Sequence, residues 1–303
     1  MSQTFSGLAV ALATPFDARG EVDLPAFRRL VRHVARGGAD TLVVLGSTGE
    51  AATLLENERD ALIVACREEA GEKNVVAGVG HNATRQTALW AKRAQELGCH
   101  GALVVTPYYN KPTANGVVQH FRAAAEAAPD LAIIAYNVPG RTGLNMSPAL
   151  VRKLWEIPQI VALKESSGNL SQIVEIASQL PAGKTLLAGD DNLAAASIAV
   201  GADGLVSVIG NVLPAETKAL VEAARRGERA RARDLTNRLL VLMDALFVES
   251  NPIPLKAALA ILGIAEDHLR LPLTRPEAAT REKVRAALVT ARGAHAEGVA
   301  YGC

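Results

Sequence analysis

Short apolar runs recur along the chain: GLAVALATP (7–15), TLVVLGS (41–47), NVVAGVG (74–80), GALVVTP (101–107), LAIIAYN (131–137), IVALKES (160–166), KTLLAGD (184–190) and GLVSVIG (204–210). None alternates strictly between apolar and polar positions, which is the pattern of parallel strands covered on both faces. Between them lie segments with helical spacing, such as LPAFRRLVRHVARGG (24–38) and RQTALWAKRAQELG (85–98). In GGADTLVVLG, GCHGALVVTP and GADGLVSVIG a glycine ends a helix just before a strand begins, the turn chemistry of a repeated unit. Eight strand–helix units in roughly 225 residues predict an α/β fold of the (β/α)8 TIM-barrel kind. A doubly wound open sheet is the competitor, weakened because no G-x-G-x-x-G follows the first strand.

After residue 211 the strand pattern stops. The segments PAETKALVEAARRGERARARDLTNRLLVLMDALF (214–247) and TREKVRAALVTARGAHAEG (280–298) are rich in Ala, Leu, Arg and Glu and read as helices. The proline-containing NPIPLK (251–256) punctuates them. The division expected is a barrel over residues 1–224 and a C-terminal helical extension over 225–303. With no low-complexity linker, the extension should pack on the barrel.

Composition narrows the function classes. The 303 residues carry 32 basic and 31 acidic side chains, a net charge of +1, so nothing electrostatic favours nucleic acid or an anionic membrane as partner. Apolar residues make up 49%, enough for one large core and a smaller one. Cys66, Cys99 and Cys303 form no C-x-x-C pair, which argues against a disulfide framework or a zinc site and fits a reducing compartment. The opening MSQTFSGLAVALATP lacks a basic start and a small-residue cleavage site, and Pro15 and Asp17 interrupt it short of the ~20 apolar residues a spanning helix needs. A cytoplasmic protein is expected.

In a (β/α)8 barrel the site is built at the carboxyl ends of the strands. Those ends read Gly46, Ser47, Thr48, Gly49, Glu50 after the second strand and Thr106, Pro107, Tyr108, Tyr109, Asn110 after the fourth. They read Tyr136, Asn137, Val138, Pro139, Gly140, Arg141 after the fifth, Lys164 at the sixth, and Gly189, Asp190, Asp191 after the seventh. Lys164 at the tip of a core strand is the unusual feature. A free lysine, with a pKa of ~10.4, is a poor nucleophile near neutrality, but desolvation favours the neutral amine, which can attack a carbonyl and form an imine. The plain alternative is a lysine that snorkels or pairs with Glu165. Tyr136 and Tyr109 bring phenols suited to proton relay, although each is also readable as a core tyrosine. Ser47 and Thr48 offer hydroxyls and N–H groups to a carboxylate, or simply form a glycine turn. Arg141 has the fork that suits a second carboxylate, or is a surface loop arginine. Asp190 and Asp191 read as helix N-caps rather than metal ligands, because no third ligand is near in sequence. His81 reads as a loop residue, and Lys111 is the alternative imine lysine.

GSTGE (46–50), TPYYNKP (106–112), YNVPGRTG (136–143), LKESSGN (163–169), GDDN (189–192) and NPIPLK (251–256) together resemble the dihydrodipicolinate synthase family of pyruvate-dependent class I aldolases. The resemblance runs from about residue 5 to about residue 290. It implies that Lys164 forms an imine with pyruvate and that Tyr136 is the acid/base phenol. Ser47 and Tyr109 would complete a proton relay, Tyr109 reaching into a neighbouring subunit. Thr48 would hold the pyruvate carboxylate, Arg141 that of L-aspartate 4-semialdehyde, while Gly189 and Val206 line the pocket. The resemblance also implies a homotetramer, a dimer of dimers, that needs no metal or organic cofactor.

Two departures from the family pattern stand out. The first hydroxyl of the second-strand motif, commonly threonine, is Ser47 here, and GSTGEA also resembles the sialic acid lyase branch. Arg141 speaks against that branch, yet a sialic acid lyase or a 2-keto-3-deoxy sugar acid aldolase stays the alternative, since both would use Lys164 and Tyr136 identically and only the second-substrate pocket separates them. A non-catalytic keto-acid binder has no supporting feature. Relatives inhibited by lysine in the enterobacterial manner carry histidine where this chain has Glu56 and glutamate where it has Gln86, whereas Asn82 and Tyr108 match. The resemblance therefore implies weak or absent inhibition by lysine.

Overall fold

The structure, a computed structural model, describes residues 4–293. Eight strands, β1 (Gly7–Ala11), β2 (Thr41–Val44), β3 (Asn74–Gly78), β4 (Gly101–Val105), β5 (Ala132–Asn137), β6 (Ile160–Glu165), β7 (Thr185–Ala188) and β8 (Gly204–Ser207), pair in parallel and in order. The pairing of Gly7 with Gly204 closes β8 onto β1 and the sheet into a barrel. Any Cβ on Gly204 would overlap the Gly7 backbone, so closure at that point demands glycine.

The unbroken apolar runs are explained by two separate cores. Leu8, Val10, Leu42, Val44, Val75, Ile133, Leu163 and Leu205 face outward and pack beneath the helices. Ala9, Ala11, Val43, Val76, Leu103, Ile134, Tyr136, Ala162, Leu187 and Val206 fill the barrel interior. Alternation along each strand then fixes which residues look inward. Lys164 follows Ala162 by two positions and so shares its inner face.

Around the barrel run α1 (Leu24–Arg36), α2 (Glu56–Glu69), α3 (Thr84–Glu96), α4 (Ala114–Ala127), a single turn α5 (Pro139–Thr142), α6 (Pro148–Trp155), α7 (Leu170–Ser178) and α8 (Ala194–Ala199). Several starts carry their own stop signals for the preceding loop: Asp23, Thr113, Ser147 and Asn169 accept first-turn N–H groups of α1, α4, α6 and α7. Beyond β8 the described chain is helical, with α9 (Pro214–Arg225), α10 (Arg229–Ala245), α11 (Ile253–Ile261) and α12 (Ala278–Arg292). The helical segment over 214–247 is broken, at Gly227 with φ 72°, into two helices. NPIPLK opens a helix rather than merely interrupting one, since Pro254 sits in the first turn of α11, where no N–H is needed. The expected extension over 225–303 includes residues 294–303, and with them Cys303, which lie outside the described residues.

The extension is fastened to the barrel by buried charge. Lys256 of α11 forms an ion pair with Glu50, both side chains 1% exposed, and donates to the His268 carbonyl at 2.7 Å. Burial lowers the Lys256 amine to about 8, with Glu50 pulling the other way. Arg270 adds bonds to the Gly20 and Thr53 carbonyls and to Glu58, while its N–H donates to Glu50. Breaking one partner of such a pair costs ~3–5 kcal/mol, because a buried charge is left uncompensated. The loop after β2 is therefore held by residues more than two hundred positions away. No helix among the described residues is long and apolar enough to cross a membrane.

Candidate active site

Lys164 lies at the carboxyl end of β6, 5% exposed, in register with Tyr136 of β5. Its Nζ sits 4.3 Å from the centroid of the Tyr136 ring. Glu165, its sequence neighbour, points to the other face of the strand. There it accepts from Asn137 Nδ2 at 2.9 Å and from the Ser167 N–H at 2.7 Å. A Lys164–Glu165 pair is thereby ruled out, and burial pushes the Glu165 carboxyl up. Two lysines of the described chain are buried. Lys256 is engaged by Glu50 and the His268 carbonyl, whereas Lys164 has neither a hydrogen bond nor an ion pair among the described residues. Lys111, in contrast, is exposed.

Gly189 makes room for this amine. A Cβ at residue 189 would lie 3.0 Å from Lys164 Cε and would overlap Ser166 Oγ. Val206 is fully buried in the interior cluster below. Asp190 follows, its carboxyl raised to about 6 chiefly by burial, with Lys164 drawing it down and Asp191 and Glu165 pushing it up. Neither aspartate caps its own turn, contrary to the N-cap reading. Asp191 instead accepts from Ser207 Oγ at 2.5 Å and from the Val208 and Ile209 N–H groups at 2.9 and 3.1 Å. It binds the β7 loop to the β8 loop, and burial raises its carboxyl despite these bonds.

Over the strand ends opens a cavity of about 430 Å³, lined by Ser47, Tyr136, Val138, Arg141 and Asn251 among others. Ser47 is exposed at its edge, whereas Thr48 is buried. The Thr48 hydroxyl accepts from Asn251 Nδ2 at 2.9 Å, which leaves its own O–H to donate. Arg141 stands on α5, a turn that Pro139 opens and Gly143 closes with φ 69°. One of its N–H groups donates to the Asn251 carbonyl at 3.0 Å. Asn251 thus touches the side chains of both Thr48 and Arg141. Sequence reasoning missed it within NPIPLK, because the Thr48 contact spans 203 positions and leaves no local signal.

Tyr109 is not brought to this cavity by its own chain. It is 88% exposed on a positive-φ backbone (73°) and does not line the cavity, whereas Tyr108 does. His81, read as a loop residue, lies on a loop and also lines the cavity, edge-on to Trp90 and Tyr108 at 5.4 and 6.0 Å. Of the other residues linked to lysine inhibition, Glu56 lines a separate cavity of about 230 Å³ beside Arg59, itself stacked on Trp90 at 3.8 Å. The Asn82 carbonyl accepts from Asn110 Nδ2 at 3.0 Å, and Gln86 Nε2 is buried without a hydrogen-bond partner among the described residues. Among the described residues, no group of three or more His, Cys, Asp or Glu side chains could hold a metal. Cys66 is buried, its thiol pushed up by burial, and Cys99 is raised to about 12 by the same cause.

Known proteins share this arrangement over nearly the whole chain. A 4-hydroxy-tetrahydrodipicolinate synthase of Methylococcus capsulatus is 44% identical over 283 residues, 93% of this chain and 97% of the relative. The crystal structure of the dihydrodipicolinate synthase of Cyanidioschyzon merolae with lysine bound superposes with a TM-score of 0.92 at 41% identity, covering 95% of this chain and 98% of that one. That of the Acinetobacter baumannii enzyme complexed with pyruvate gives 0.93 at 38% identity, covering 95% and 99%. The dihydrodipicolinate synthetase family matches residues 4–291, and with the barrel and its strand-end residues in place the chain belongs to that family.

Proposed function

We propose that this chain condenses pyruvate with L-aspartate 4-semialdehyde to 4-hydroxy-tetrahydrodipicolinate, the entry to lysine biosynthesis, through an imine on Lys164. The observation that carries the residue assignment is the state of the two buried lysines. Lys256 is spoken for by Glu50, while Lys164 stands unpaired at the barrel mouth beside a phenol.

In this reading the Lys164 amine adds to the pyruvate ketone, and the carbinolamine loses water to give the imine. Tyr136, next to the amine, passes protons to the departing oxygen, with Ser47 and Tyr109 completing the relay. The Thr48 O–H, oriented by Asn251, holds the pyruvate carboxylate. Gly189 and Val206 shape the floor. Loss of a methyl proton gives the enamine, whose carbon attacks the aldehyde, while Arg141 binds the semialdehyde carboxylate. The substrate amine then displaces Lys164, closing the ring and freeing the enzyme. The amine itself activates the ketone, so the sequence of steps calls for no metal or organic cofactor. A cytoplasmic homotetramer completes the reading, with Tyr109 serving a neighbouring subunit, and its 88% exposure supports that role.

Borohydride reduction in the presence of pyruvate, followed by peptide mass mapping, tests the proposal. The adduct is expected on the peptide that contains Lys164. An adduct on Lys111, or none, would refute it.

A further inference from the structure

We propose that Ser166 is a further substrate-contacting residue of this site, its hydroxyl donating to the oxygen of the incoming aldehyde as the new carbon–carbon bond forms. The assignment rests on the Lys164 reading above and adds a group that the reading leaves unused.

Ala162, Lys164 and Ser166 are alternate residues along β6 and its immediate continuation, where the Ser166 N–H still donates to the Asn137 carbonyl at 2.9 Å. Ala162 belongs to the barrel interior, so the other two face inward with it. Ser166 Oγ is buried and has no hydrogen-bond partner among the described residues. A buried hydroxyl left unpaired is costly, so one placed beside a reactive side chain calls for a role there. The place it occupies is specific. Ser166 Oγ occupies the space that a Cβ on Gly189 would take, and Lys164 Cε borders the same space, so the hydroxyl lies beside the end of the Lys164 side chain on the β7 side. Tyr136 occupies the opposite flank, on β5.

That division matches the chemistry. The carboxylates of the two reactants fall to Thr48 and Arg141, and the oxygen that leaves the carbinolamine falls to Tyr136. The aldehyde oxygen is the one polar atom without a donor. When the enamine carbon attacks the aldehyde carbon, its electron pair forms the C–C bond and the iminium is restored on Lys164. The aldehyde π pair moves onto oxygen. Ser166 Oγ–H donates to that oxygen as charge develops, and the alkoxide then takes its proton from the Tyr136 relay, the serine keeping its own.

Three readouts on the full-length Ser166→Ala and Ser166→Thr proteins separate this role from a structural one. Exchange of the pyruvate methyl protons for deuterium without aldehyde reports imine and enamine formation. Borohydride trapping reports the adduct, and kcat/KM for the semialdehyde at saturating pyruvate reports condensation. In Ser166→Ala, exchange and trapping are expected to stay within about twofold of the native protein, while kcat/KM for the semialdehyde falls ~100-fold, the scale of losing one oxyanion donor. Ser166→Thr, which keeps a hydroxyl, should recover most of that loss. A semialdehyde kcat/KM within about twofold of native in Ser166→Ala, or exchange that falls in parallel with condensation, would overturn the assignment. If the native protein itself traps no pyruvate, the Lys164 reading fails, and this one with it.

Discussion

Arg141 shows how a side chain on the surface acquires a defined direction. Its guanidinium is carried by one helical turn, a weak platform, yet one N–H is tied to the Asn251 carbonyl at 3.0 Å. Arg141 lines the cavity, and its fork keeps further N–H donors, two of which a carboxylate can meet together. If that carboxylate belongs to the semialdehyde, Arg141→Ala should reduce kcat/KM for the semialdehyde by ~2–5 kcal/mol. Pyruvate trapping on Lys164 should persist, since the bond from Asn251 Nδ2 to the Thr48 hydroxyl does not involve Arg141. Arg141→Lys should recover little, because an ammonium cannot reproduce the planar fork. Steady-state rates with each substrate varied in turn check both variants. An equal loss for both substrates would show that Arg141 supports the loop rather than one reactant.

At the scale of elements, the strands were legible because each is a local apolar run, and the helices because their caps and spacing are local too. What was not legible lies between elements. Asp190 and Asp191 look like caps in sequence, and only the approach of β8 to β7 makes Asp191 a tie between two loops. Gly189 looks like a turn residue, and only the proximity of β6 explains its missing side chain. Of the residues linked to lysine inhibition, Glu56 and Gln86 stand in the first turns of α2 and α3, and here too placement decides. Glu56, in the first turn of α2, is favourably placed for the helix dipole but faces a side cavity. Tyr108 lines the main cavity, and the Asn82 carbonyl is already bonded to Asn110. With Glu56 and Gln86 departing from the inhibited pattern, lysine added to initial-rate assays should inhibit weakly or not at all. A low-micromolar inhibition constant would contradict this.

At the scale of the molecule, the barrel was readable from its repeat, whereas the coupling of the extension to the site was not. Asn251 meets Thr48, and Lys256 and Arg270 meet Glu50, only after the chain has closed the barrel and returned. No periodicity records a contact of that separation. Tyr109 is left unburied within its own chain, a phenol 88% exposed on a positive-φ backbone that a bulky residue adopts only where its surroundings hold it. A neighbouring subunit that receives this ring would account for both features. Co-expression of differently tagged Lys164→Ala and Tyr109→Ala chains, followed by tandem purification, puts the proposal to a direct test. Each chain alone should be inactive or strongly impaired. In a hybrid, the Tyr109→Ala chain keeps its lysine and receives the tyrosine of its Lys164→Ala partner, so one site type is whole again. Activity well above the sum of the two parents is the expected result. Hybrids no more active than their parents would mean that Tyr109 serves no neighbour, and its exposed ring would need another explanation.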